Sequence, residues 1–122
     1  MEEKELINIA KEAYILSKQL SALENVLKDR KNIQGYGSYK ENYNQILERA
    51  NQLLKYDAII SKSIKHLKPY DYPEELSYER VFLEMRGDVV ILKEALYTFF
   101  EFHFPKKEKE KIGFRSKEGG ES

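Results

Sequence analysis

The side chain in this chain most in need of a chemical explanation is Asp57. It sits in the middle of an apolar stripe, Tyr39, Tyr43, Ile46, Ala50, Leu53, Asp57, Ile60, Ile64 and Leu67, where leucine or isoleucine is expected. A carboxylate among core positions is costly unless it is paired and hydrogen-bonded. The register of the neighbouring helices predicts its partner. An Asp57–Arg86 ion pair is expected, or an Asp57–Tyr14 hydrogen bond, either of which would hold the helices in step. A role in a site is the remaining reading of the same residue.

Other reactive types are sparse and poorly spaced. The chain has two histidines and no cysteine. A di-metal helical bundle needs a Glu-x-x-His pair on each of two helices. Here Glu101-Phe102-His103 has the wrong spacing and His66 stands by itself, so no metal, cofactor or catalytic residue is assigned and a non-enzyme is expected. Glu84 and Asp88 are four apart on the polar side of their helix. Arg86-Gly87-Asp88 spells the integrin-recognition tripeptide, but it lies in mid-helix rather than in an exposed loop. Gln34-Gly35-Tyr36-Gly37-Ser38 lacks the spacing of a phosphate loop and reads as a helix–helix turn.

Aromatic residues supply the other lead. If the helices run up, down and up, the first loop and the end of the third helix lie together. Tyr36, Tyr39 and Tyr43 would then join Phe100, Phe102 and His103, with Lys106 and Lys107 beside them. Rings next to flexible cations suit a protein partner or single-stranded nucleic acid.

The elements that must position these residues follow from periodicity. Leu6, Ile9, Ala13, Leu16, Leu20, Leu23 and Leu27 step by three and four, so one face of a helix over 3–31 is apolar. Ser38-Tyr39-Lys40-Glu41 matches the capping box S-x-x-E, predicting a second helix from 38 to 68 that Pro69 stops. A third runs from Pro73, a good first-turn residue, to Phe104, where Pro105 ends it. Its main stripe is Phe82, Met85, Val89, Leu92, Leu96 and Phe99. A second stripe, Leu83, Val90, Tyr97 and Phe104, predicts a symmetric dimer face if the chain's own helices leave it bare.

The expected fold is therefore all-α: an antiparallel, up-down-up three-helix bundle over 1–105, with a polar, disordered tail over 106–122. The loops at 32–38 and 68–73 are short, which predicts that successive helices are antiparallel. At 122 residues the chain holds one core, with 41% apolar and 34% charged residues. Formal net charge is +0, which gives no overall attraction to nucleic acid or anionic membrane. Charge is sorted locally: residues 39–68 hold six basic and three acidic groups, residues 69–104 three basic and eight acidic. That contrast favours pairing of the second and third helices. The acidic N-terminus Met1-Glu2-Glu3-Lys4 has no signal-peptide core, and 89–104 is interrupted by Lys93, Glu94 and Glu101 and is shorter than a membrane span. The expectation is a small cytoplasmic interaction or assembly protein that associates with a protein partner or with itself and has no membrane association. Binding of single-stranded nucleic acid is the alternative.

Overall fold

The structure is a computed structural model that describes residues 2–29, 36–71 and 78–111. Most of these residues are helical, in three long helices, α1 (Glu3–Leu27), α2 (Tyr36–Leu54) and α4 (Tyr78–His103), and two short ones, α3 (Ala58–Ser63) and α5 (Lys106–Lys111). Among the described residues, no helix is long and apolar enough to cross a membrane. The all-α class and the three long helices agree with the sequence. The direction of α4 relative to α2 does not.

α1 and α4 pack along most of their lengths. Ala10, Ala13, Leu20, Leu23 and Leu27 of α1 are buried, as are Phe82, Met85, Val89, Leu92, Leu96 and Phe99 of α4. The two fully buried alanines let the helices approach closely. Tyr14 lies against Phe100 with ring centroids 4.6 Å apart, and ten residues later Glu24 accepts a hydrogen bond from Lys93 Nζ at 2.5 Å. Advancing along α1 means retreating along α4, so these two helices are antiparallel. Arg49 of α2 meets Glu12 of α1 through a fork of two hydrogen bonds.

α2 and α4, in contrast, run the same way. Tyr39 faces Phe82 at 6.3 Å, and Asp57, just beyond α2, reaches His103 at 2.7 Å. Both positions advance together, which overturns the expected antiparallel hairpin and with it the up-down-up order. The cause is at Asp57. The backbone there is extended (φ −133°, ψ 102°), and the carboxylate accepts from the amides of Ile59 and Ile60, so Asp57 caps a new helix instead of continuing the old one. Aspartate competes in this way with the helical ladder, which is why it favours first positions over interiors. α2 stops at Leu54, and the chain turns through α3. Ile64, Leu67 and Tyr70 are buried on the way back. Asn44 then holds the backbone of Tyr70 at both ends, donating to its carbonyl at 2.8 Å and accepting from its amide at 2.7 Å. This return segment brings α4 to the starting end of α2.

The helix boundaries differ from expectation for related reasons. α2 begins at Tyr36, so Ser38 lies inside the helix and forms no capping box. Burying the Tyr36 ring, which is 1% exposed, is worth roughly 2 kcal/mol, against about 1 kcal/mol for a serine cap. Ring burial wins. At the other end the tail is not wholly irregular: Lys106–Lys111 forms α5, and Lys109 is buried, its Nζ 2.7 Å from Glu101 and 5.1 Å from the centre of the Phe100 ring. The expected tail beyond residue 111, like Pro73 and Gly35, lies outside the described residues. Phe104 of the second α4 stripe is 3% exposed and Tyr97 is half-buried against Tyr14, so only the Leu83 end of that stripe faces solvent.

Candidate functional site

Asp57 joins two elements. One carboxylate oxygen accepts from the amides of Ile59 and Ile60, both at 3.1 Å, and the other meets His103 Nε2 at 2.7 Å. The His103 ring rests on Phe99 with centroids 4.5 Å apart, which ties the pair to the core. The hydrogen bond from His103 holds the Asp57 carboxyl below its ordinary value, the two amides and the imidazole charge adding to this while burial opposes it. Neither predicted partner is at hand. Arg86 is exposed on α4 and its charge is felt by Glu24, while Tyr14 packs against Tyr97 and Phe100 under the ammonium of Lys18. The parallel threading puts His103 at the level of Asp57 and leaves Arg86 about 25 Å away along α4.

The predicted aromatic surface is divided by the same threading. Tyr36 and Tyr43 are buried, and Tyr39 is half-buried on Phe82 near the start of α4. Phe100 is buried between Tyr14 and Phe104. Phe102, His103, Lys106 and Lys107 remain together at the far end of α4, about 30 Å from Phe82. They are joined there by residues the sequence did not single out. Ile59 is 84% exposed, Phe102 73% and Tyr56 48%. Ile59 and Tyr56 flank Asp57 in sequence, and Phe102 precedes His103, so the Asp57–His103 pair gathers all three at one end. The signal for Ile59 was available: in the doublet Ile59-Ile60 only one side chain can face the core, and Ile60 takes that place at 6% exposure. Lys55, Lys62, Lys65, Lys106 and Lys107 are exposed nearby in sequence, and Lys55 Nζ lies 5.2 Å from the centre of the Tyr56 ring. Acidic groups in the same region are engaged, Asp57 with His103 and Glu101 with Lys109. This end therefore carries exposed apolar side chains with exposed lysines close to them in sequence.

A second polar group lies where the return segment crosses α4. Tyr70 donates to Asp88 Oδ2 at 2.6 Å and packs edge-on against Tyr43 at 5.4 Å. Burial, then the Asp88 hydrogen bond, pushes the Tyr70 phenol above its ordinary value. Burial and the Asp88 charge do the same to Tyr43. The cleft beside them, about 310 Å³, is lined by His66, Lys68, Pro69, Tyr70, Asp71 and Glu84 with Asp88. Its charges are mixed. Among the described residues, no three histidine or acidic side chains converge on a point where a metal ion would sit. The Tyr43 hydroxyl is buried with no hydrogen-bond partner among the described residues. An unsatisfied buried hydroxyl costs about 1–3 kcal/mol. Tyr43→Phe is accordingly expected to raise the unfolding free energy by about 1 kcal/mol in urea titration, while Tyr70→Phe, which strips Asp88 of its donor, should lower it. Comparison of the chain with protein-family models, with curated proteins and with solved structures finds no match.

Proposed function

We propose that the protein is a cytoplasmic interaction module that docks an acidic, amphipathic segment of a partner protein against the end of the fold bearing the Asp57–His103 pair. One observation carries this reading: Tyr56, Ile59 and Phe102 are each exposed at that end, with exposed lysines near them in sequence. Large apolar side chains that a chain fails to cover mark interaction surfaces when they cluster rather than scatter. Aromatic residues anchor such contacts, and rim charges select the partner by complementarity. Asp57 and His103 then act as positioning residues that fix the ends of α3 and α4 relative to each other.

The nucleic-acid reading is less favoured. Stacking needs open rings, and Tyr36, Tyr43 and Phe100 are buried. Phe102 with Lys106 and Lys107, and Tyr56 with Lys55, are the open rings beside cations that would serve it.

A photo-cross-linking amino acid placed at position 102 or 59 and expressed in the source cell tests the proposal. Discrete protein adducts are expected from both positions and not from position 15, where Ile15 is comparably exposed at 53% on α1. Lys106→Glu with Lys107→Glu should diminish those adducts. Equal labelling from all three positions, or adducts that single-strand nuclease removes, would overturn it.

A further inference from the structure

The outer face of α4 carries a pattern that reads the same from either end. Arg80, Leu83, Gly87, Ile91 and Glu94 follow at steps of three, four, four and three, so they share one stripe on a helix with 3.6 residues per turn. The core stripe of Met85, Val89, Leu92 and Leu96 lies on the opposite side and is fully buried. The outer stripe is bare. Leu83 is 56% and Ile91 40% exposed, Arg80 and Glu94 are exposed, and a Cβ placed on Gly87 would meet nothing within 4 Å.

A two-fold axis through Gly87, perpendicular to the helix, relates these positions in pairs. In an antiparallel second copy, Arg80 faces Glu94, Leu83 faces Ile91, and the two glycines meet on the axis. Every contact is then made twice, as an isologous interface requires. A parallel pairing would set arginine against arginine and glutamate against glutamate, so charge selects the antiparallel arrangement. Gly87 supports the same reading. A glycine inside a helix costs about 1 kcal/mol relative to alanine, and nothing within the chain crowds this position. A second backbone crossing closely there gives its small size a use.

We infer that the protein forms an antiparallel homodimer through this face of α4, centred on Gly87. The inference is independent of the proposed docking end, since Phe102 lies two turns beyond Glu94. The stripe is about 21 Å long, a contact at the small end of the interface range, so weak association is expected. In the dimer, Arg80 exchanges its exposed contact with Glu84, 3.5 Å away in the single chain, for Glu94 of the second copy.

Sedimentation equilibrium of the full chain from roughly 1 µM to 1 mM, a range spanning micromolar affinity, tests this with three variants. The wild type should reach twice the 14.4 kDa chain mass. Gly87→Leu should stay monomeric and, in dilute solution where both chains are monomers, melt no lower than the wild type, because the site is open in the single chain and leucine is the better helix former. Arg80→Glu should weaken association about tenfold, since symmetry removes two ion pairs at once. Adding Glu94→Arg should restore it. A wild type that stays monomeric throughout overturns the inference, as does a dimer that survives Gly87→Leu. A double charge reversal that fails to rescue overturns it too. If position 83 or 91 instead cross-links to a different protein while the wild type stays monomeric, the face belongs to that partner.

Discussion

Phe99→Ala is expected to lower the unfolding free energy by about 3–5 kcal/mol, the usual cost of emptying a phenylalanine site that its surroundings cannot refill. Phe99 is fully buried and closes the stripe that α4 turns toward the core. Its ring also supports His103 at 4.5 Å, so the substitution should loosen the Asp57 pair as well as open a cavity. Denaturant unfolding followed by circular dichroism measures the first effect. The second appears as a smaller penalty for Asp57→Ala in the Phe99→Ala background than in the wild type, because contacting residues are not additive.

Asp57→Ala itself is expected to cost about 2–3 kcal/mol. Loss of a helix cap accounts for about 1 kcal/mol, and loss of a largely buried charge-assisted hydrogen bond to His103 for about 1–2 kcal/mol more. Asp57→Leu with His103→Leu should recover part of the loss on the α4 side, while the missing cap remains. The pH dependence has a definite sign. The Asp57 carboxyl is held below its ordinary value in the folded protein, so its contribution is complete above the unfolded value of about 4 and disappears as pH falls through the folded value. Glu24, lowered by the hydrogen bond from Lys93, and Glu12, lowered by that from Arg49, act in the same direction. Stability should therefore decline below about pH 4, and the gap between wild type and Asp57→Asn should close across that window. A gap that does not narrow as pH falls below about 4 would mean that the carboxylate is not what joins α3 to α4.

The packed faces of the long helices were legible in the residues alone. Ala13, Leu16, Leu20, Leu23 and Leu27, and on α4 Phe82, Met85, Val89, Leu92, Leu96 and Phe99, are buried as their spacing requires. Periodicity reports which face is buried, and it is silent on direction. Ile60, Ile64 and Leu67 keep the three-and-four rhythm across Asp57 although the helix has ended, because both a continuing helix and a returning segment bury them. Asp57 interrupts its stripe because it caps α3: backbone amides satisfy part of its carboxylate, and apolar spacing carries no sign of that. The division of the aromatic residues between two ends follows from the same point, since reversing the direction of α4 relative to α2 exchanges which rings can meet Tyr39.

The parallel course of α2 and α4 places Asp57 at His103 and gathers Tyr56, Ile59 and Phe102, so it is the feature most in need of direct measurement. The chain contains no native cysteine, which allows spin labels at any chosen pair of exposed sites. Asn42→Cys in α2 can be combined with Arg86→Cys or with Phe102→Cys in α4, each labelled chain diluted in unlabelled protein so that only distances within one chain are read. Electron–electron double resonance should give the shorter distance for 42–86 and a distance longer by roughly 10–15 Å for 42–102, as an axial offset of about 24 Å along α4 adds in quadrature to the separation of the helices. The reverse order, with 42–102 the shorter, would restore the antiparallel hairpin and remove the structural basis of the Asp57–His103 site.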